Sequence, residues 1–191
     1  MGPDRVSAAH LSVRVSELYA SDKLVFDARK SDELSEIYVK ASEHVVSELG
    51  VNEQKEWSDY GSGFASFYDS WFYKNEDQFI VRSDGIEGSC YRGVFVLFSL
   101  LEPMFTVGEG IKNWSENGSG SYLPDIEMVD AYESKHVREL SQRICRVLRD
   151  FGIPQASKRT LDQRIDTSIQ IDTNMNYGPL KLFDAFYHWM D

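Results

Sequence analysis

The sequence has few cysteines and no long apolar run. Its 191 residues include two cysteines, Cys90 and Cys145, which are too few and too far apart for a disulfide scaffold or a zinc site. Both lie in apolar stretches, which favours buried thiols in a reducing compartment. The longest apolar run, residues 94–101, is far shorter than the roughly 20 residues of a membrane-spanning helix, and residues 1–20 contain no signal-like apolar core. We therefore predict a cytoplasmic protein with no membrane partner.

Recognisable catalytic motifs are also missing. There is no nucleophile elbow, no phosphate-binding loop with its lysine, and no pair of histidines at metal-ligand spacing, so we predict no catalytic residue, metal or cofactor. Asp125, Glu133 and Lys135 have the residue types of a metal-dependent nuclease. However, Glu133 and Lys135 fall at the start of a predicted helix, where positions two apart diverge by about 200°. This pattern therefore does not predict a nuclease.

Basic residues are scarce in this chain. Lysine and arginine number 20 against 31 aspartates and glutamates, which gives a net charge of −11 and a pI near 4.8. Such a surface repels nucleic acid, so no direct nucleic-acid binding is predicted. Residues 135–165 are the exception, since they hold eight cations and three carboxylates. This basic segment is interpreted as a solvated or internally neutralised helix face, with a small anion site, an RNA contact or the contact surface of a larger assembly as alternatives.

Apolar and aromatic residues are abundant, at 42% and 13% of the chain, which is enough for a substantial core. The length favours a single globular domain over residues 1–191, with a loop-rich segment near 113–124. The predicted fold class is α+β, with several amphipathic helices packed around a small antiparallel β element. The predicted helices are residues 7–20 (where a strand is the alternative), 32–49, 64–73, 130–151 and a short one beginning at Pro179. The predicted strands are residues 78–82, 91–101 (where a buried helix is the alternative) and 167–172, in which Ile169 and Ile171 alternate with polar residues.

Two helices carry predicted boundary signals. Ser31 is the expected N-cap of the second helix and Gly50 its stop. Asp130 with Glu133 has the form of a capping box for the helix over 130–151. The segment between Gly50 and the next helix is predicted to be a polar connection.

The most aromatic stretch is residues 63–73, which read GFASFYDSWFY. Its large side chains sit at i, i+3, i+4, i+7 and i+8, which predicts the buried face of a helix. In that helix Asp69 and Tyr73 would point outward. A surface patch is then expected from the residues just before and off this stripe.

An acidic segment precedes it. Residues 31–59 hold eight carboxylates and two lysines, which favours an acidic face that steers toward a basic protein. Small size, acidity and aromatic richness are also the general profile of bacterial immunity and antitoxin proteins, a likeness of composition and not of any motif. We therefore predict a protein-binding module that neutralises a basic partner. The predicted partner-binding residues are Glu36, Glu43, Trp57, Asp59, Tyr60, Asp69 and Tyr73.

A small enzyme with a dispersed active site is the alternative prediction, because catalytic residues converge in space and need not be neighbours in sequence. Carboxylates and histidines would carry such an activity. The first candidates are His44, Asp59, Asp69 and His188.

Overall fold

A computed structural model of the chain describes residues 5–20, 27–57, 64–81, 89–115, 118–171 and 178–190. These residues form helices and antiparallel strands, which confirms the predicted mixed α+β class. The helices are α1 (Ala8–Leu18), α2 (Ala28–Leu49), α3 (Lys135–Asp150), α4 (Lys158–Leu161) and α5 (Leu182–Phe186). The strands are β1 (Asn52–Glu56), β2 (Phe64–Ala65), β3 (Phe67–Tyr73), β4 (Ser89–Ser99), β5 (Phe105–Ser115), β6 (Gly118–Gly120) and β7 (Trp189–Met190).

Five of these strands form one sheet in the order β1-β3-β4-β5-β6, and each neighbouring pair is antiparallel. A separate two-stranded ladder joins β2 to β7. Side chains alternate between the two faces of a strand, so Asp69, Trp71 and Tyr73 lie on one face of β3 while Ser70 and Phe72 lie on the other. In this register Trp71 is opposite Phe95.

Both faces of the sheet are covered, and each has its own apolar core. Helices α2 and α3 pack on the face that bears Phe72, Val96 and Val107. Helices α1 and α5, with irregular segments between 122 and 171, pack on the face that bears Trp71 and Phe95. Cys90 and Cys145 are both buried free thiols. Among the described helices, none combines the length and the apolar character needed to cross a bilayer.

Helix α2 forms where its apolar spacing predicts. Its buried side chains recur every three or four residues, and they are Leu34, Tyr38, Ala41, Val45 and Leu49. Ile37, which the spacing predicts on the same apolar stripe, is instead exposed. The N-cap is Asp27, whose carboxylate accepts from the backbone N–H groups of Arg29 and Lys30. Ser31, the predicted cap, is instead buried within the first turn. Gly50 ends the helix in the left-handed conformation at φ 60°, as predicted.

Helix α3 is confirmed, but the predicted capping box is wrong. Ser134 is the N-cap, and its side chain accepts from the backbone N–H of Val137. Asp130 lies before the helix with φ 55°, so its backbone cannot serve as the cap of the first turn. The Glu133 carboxylate pairs with Arg92 at 2.7 Å.

The predicted helix over residues 64–73 is wrong, because the stretch forms β2 and β3. Phe67 and Trp71 are four residues apart, as are Tyr68 and Phe72, and an even spacing also puts each pair on one face of a strand. Because both faces of this central strand are buried, no polar alternation marks it as a strand. The aromatic spacing therefore fits either structure.

Several shorter predictions also differ from the structure. The polar connection after Gly50 contains β1, and the loop-rich segment near 113–124 contains the end of β5 and all of β6. Residues 169–171 form no strand, and of the predicted strand over 78–82 the described part holds a single bridge, from Ile80 to Tyr91. The last helix begins after Lys181 and not at Pro179.

Candidate functional site

The outer side of α2 is a strongly acidic exposed surface. Its five exposed carboxylates include the predicted residues Glu36 and Glu43, and the full set is Asp32, Glu33, Glu36, Glu43 and Glu48. Ile37 stands among them with 43% of its surface exposed. Residues three and four apart share one side of a helix, so Glu33 neighbours Ile37. We call the surface formed by residues 32, 33, 36, 37 and 43 the acidic α2 face.

The four carboxylates of this face have no cationic partner in the part of the chain that the structure describes. Within the described ranges, no lysine, arginine or histidine lies at salt-bridge distance from Asp32, Glu33, Glu36 or Glu43. Glu48, one turn beyond, differs because it contacts His44 Nε2 at 3.0 Å. The exposed Lys40 lies one turn from both Glu36 and Glu43 and offsets part of their charge. The remaining negative charge of the acidic α2 face can act on a molecule outside the chain.

The carboxylates of β1 are occupied inside the fold. Glu53 Oε1 accepts from Ser42 Oγ at 2.6 Å and from Ser70 Oγ at 2.7 Å. Glu56 accepts from Lys112 Nζ at 2.6 Å. The described carboxylates of the acidic segment thus fall into two groups. Those of the acidic α2 face have no partner among the described residues, and those of β1 are bound within the fold.

A groove of about 440 Å³ runs beside the acidic α2 face and brings two predicted residues together. Glu43 lies on its α2 side, and Tyr73 lies at the end of β3. The other lining residues are Val46, Val51, Asn52 and Glu53. Since β1 is the edge strand of the sheet, this groove joins a sheet edge to the acidic surface.

Trp57 and Tyr73, two predicted aromatic anchors, are half-buried. The Trp57 indole stacks on Tyr68 with ring centroids 4.8 Å apart, and its Nε1 donates to Ser70 Oγ at 3.0 Å. Tyr73 stacks on Trp71 at 4.6 Å, and burial raises the pKa of the Tyr73 hydroxyl. Both side chains have one face held by the protein. Asp59 and Tyr60 lie outside the described residues.

Asp69, predicted to point outward, is buried with 1% of its surface exposed. The strand turns its side chain toward the apolar core covered by α1 and α5. Its Oδ1 accepts from the Tyr122 hydroxyl at 2.8 Å. Lys112, itself 4% exposed, lies with its Nζ 5.2 Å from the Tyr122 ring centroid. Burial raises the pKa of Asp69 to about 7, although Lys112 and the Tyr122 hydrogen bond oppose that rise. In this fold Asp69 cannot contact a partner directly.

The residues of the alternative enzyme prediction occupy separate environments. His44 is exposed on α2, and its ring lies tilted against that of Phe151 with ring centroids 5.2 Å apart. His188 is buried, and its backbone N–H donates to Ser66 Oγ at 2.8 Å. Asp69 lies beneath Tyr122. Across the ranges that the structure describes, no group of three or more His, Cys, Asp or Glu side chains could hold a metal ion.

One charged group without a sequence signal is Glu102, which is 8% exposed at the turn between β4 and β5. It accepts from His10 Nε2 and Arg14 Nε, each at 2.9 Å, and Lys30 Nζ lies 3.7 Å away. Burial opposes ionisation, yet the hydrogen bonds from His10 and Arg14 lower the pKa of Glu102. This carboxylate therefore ties α1 and α2 to the sheet, and its partners are 88 and 92 residues away in sequence.

The chain was compared with protein-family models, with curated proteins and with solved structures, and no match was found in any of the three comparisons.

Proposed function

We propose that the whole chain acts as a single-domain protein-binding module in the cytoplasm of a bacterium. In this proposal it neutralises a basic partner protein, in the manner of an immunity or antitoxin protein. The observation that carries the proposal is the acidic α2 face, where Asp32, Glu33, Glu36 and Glu43 have no cationic partner among the described residues.

The physical chemistry of this face suits a basic protein surface. The helix fixes the backbone of these carboxylates, so binding has to order only their side chains. Glu36 and Glu43 are about 10 Å apart along the helix axis, which suits a row of lysines or arginines on the partner. Their field would speed encounter with a cationic surface and repel nucleic acid.

An apolar centre and a groove complete the proposed binding surface. Ile37 is exposed among the carboxylates and would supply apolar contact once the partner excludes water. The groove at Glu43 and Tyr73 would accept a side chain from the partner beside this contact. Trp57 and Asp69 are not needed as anchors in this proposal, because the fold uses both internally.

The test is co-purification from the native host with the tagged chain, followed by binding measurements between the two purified proteins. We expect one basic protein whose association rate falls steeply as salt is raised. A triple variant with Glu33→Gln, Glu36→Gln and Glu43→Gln should slow association by about tenfold or more while leaving the melting temperature nearly unchanged. Ile37→Ala should speed dissociation.

The matched control changes the same charge elsewhere. Asp77, Asp150 and Asp166 are exposed and lie outside α2, so a triple amide variant at these positions also removes three negative charges. If this control slows association as much as the α2 variant does, the effect is one of net charge and the proposed face is wrong. Binding that is insensitive to salt would also contradict the proposal.

A further inference from the structure

A cleft bordered by α3, separate from the groove beside α2, is rich in positive charge. It has a volume of about 390 Å³ and is bordered by Arg5, Arg138 and Arg149. Its lining also includes the buried side chains of Ser141, Cys145 and Gln155. Polar side chains at this depth distinguish the cleft from a flat charged surface.

Two elements hold the arginines in place. Arg138, Gln142, Cys145 and Arg149 follow one another at intervals of four, three and four residues, so they lie along one side of α3. Arg5 comes from the opposite wall, where it forms a parallel bridge with Gln155 and the next residue, Val6, donates its backbone N–H to the Gln155 carbonyl at 3.3 Å. Three guanidinium groups thereby border one concave space.

These three arginines have no carboxylate partner at salt-bridge distance among the described residues. Arg14 and Arg92, by contrast, each contact two carboxylates. Asp130 also lines the cleft, and its oxygens accept from the neutral Lys158 backbone N–H at 2.8 Å and from Gln155 Nε2 at 3.4 Å. Its negative charge therefore remains, and the three arginines outnumber this one carboxylate. Within the described part of the chain, Arg138 donates only to the Tyr132 carbonyl, at 3.4 Å. In a chain with 31 carboxylates, three arginines with no carboxylate partner in the described ranges make this cleft suited to an anion from outside.

We propose that this cleft binds a small phosphate-bearing molecule, with Arg5 and Arg149 on the phosphate and Arg138 at the other end of the ligand. Guanidinium groups offer paired donors that match phosphate oxygens, and the amide of Gln142 supplies a neutral contact. The Ser141 hydroxyl is instead hydrogen-bonded to the Tyr132 hydroxyl at 2.6 Å, which fixes the Tyr132 ring at the edge of the cleft. The volume falls within the range of small-molecule sites. Arg138 lies 5.9 Å from the Tyr132 ring centroid, so these two side chains offer a flat surface to the remainder of the ligand.

The thiol within the cleft does not compete for the arginines. Burial raises the pKa of Cys145 to about 11, although the nearby Arg149 and Arg5 charges lower it. The thiol is therefore neutral near pH 7. A long polyanion such as RNA is disfavoured because the rest of the chain is acidic and because the polar lining is reached only by a group that enters the cleft.

Calorimetric titration of the full chain with inorganic pyrophosphate tests the proposal. We expect one site per chain, weakened by about tenfold or more in Arg149→Gln and in Arg5→Gln. Arg146→Gln is the matched control, since Arg146 is an exposed residue of the same helix that does not line the cleft. Its affinity for pyrophosphate should equal that of the wild type.

Several results would overturn the proposal. They are no binding at millimolar pyrophosphate, an equal loss in Arg146→Gln, and preferential binding of a polyglutamate peptide or an RNA oligonucleotide. Should Arg149→Gln fail to fold, the arginine Nε–Hε resonances of the wild type give the answer. Shifts confined to Arg5 and Arg149 on pyrophosphate addition support the cleft, and equal shifts at Arg143 and Arg146 refute it.

Discussion

The Tyr122 hydroxyl donates a hydrogen bond of 2.8 Å to Asp69 Oδ1 and covers a carboxyl group that has almost no contact with solvent. Burial raises the pKa of this group to about 7 from an ordinary value of 3.8. Between those two pH values the folded chain keeps a proton that the unfolded chain releases. The stability that comes from the protonated carboxyl is therefore complete below pH 4 and is lost as the pH rises through 7.

Asp69→Asn should remove this pH dependence, because the amide keeps the acceptor for Tyr122 and carries no charge. The free energy of unfolding of the variant relative to the wild type should rise by about 2 to 3 kcal/mol between pH 5 and pH 8. Urea denaturation at both pH values measures the difference. Asp77→Asn, at an exposed site, is the control and should show no such trend. Parallel stability curves for Asp69→Asn and the wild type would contradict a raised pKa.

Glu102 has the opposite pH dependence. Its pKa is lowered, so the stability that it contributes is present above its ordinary value of 4.5 and is lost as the pH falls through the folded-state pKa. Glu102→Gln should cost about 1 to 3 kcal/mol at pH 7, because it leaves Arg14 and Lys30 without their shared carboxylate. The cost should shrink at pH 3. Glu17→Gln, which removes an exposed partner of the same Arg14, should cost much less.

Gly110 makes room for the Tyr122 ring. A Cβ at this position would lie 2.5 Å from the ring, so Gly110→Ala must displace Tyr122 or the strand. We expect a loss of about 1 to 3 kcal/mol in the free energy of unfolding. In a Tyr122→Ala background the same substitution should be nearly neutral, and a double-mutant cycle measures this coupling. Additive losses would show that the ring is not the obstacle.

Leu140 tests the phase of α3, since it is 3% exposed while its neighbour Glu139 is exposed. Leu140→Asp would bury an unpaired carboxylate and should cost several kcal/mol, on the order of 3 or more. Glu139→Gln on the outer side should change stability by less than about 0.5 kcal/mol. Thermal denaturation distinguishes the two, and an unchanged melting temperature for Leu140→Asp would contradict this packing.

The helices that could be predicted from sequence have one side buried and one side exposed to solvent. Leu34, Tyr38 and Val45 alternate with charged residues because α2 faces both core and solvent, and the same periodicity predicts that Glu36 and Glu43 are exposed. Strand β3 is buried on both sides over most of its length, so its sequence shows no alternation of apolar and polar residues. The mixed fold class and the acidic helix face could be predicted from the sequence, whereas the strand conformation of the aromatic stretch could not.

Features that depend on distant partners had no local signal. The burial of Asp69 depends on Tyr122, 53 residues later. The roles of Gly108 and Gly110 in β5 depend on Phe95 and Tyr122, which pack against the backbone at these two positions. The arginines of the phosphate-binding cleft include Arg5, which the fold brings to α3 through its bridge to Gln155.

The late position of α5 in the chain has a consequence for biosynthesis. Ser66 and His188 are hydrogen-bonded across 122 residues, so the aromatic side of β3 is translated long before the segment that covers it. Of helices α1 and α5, only α1 is available on the ribosome to cover Phe67 and Trp71 until α5 emerges. On the other face of the sheet, α2 is translated before the strands that it covers, so it can pack on them as they emerge.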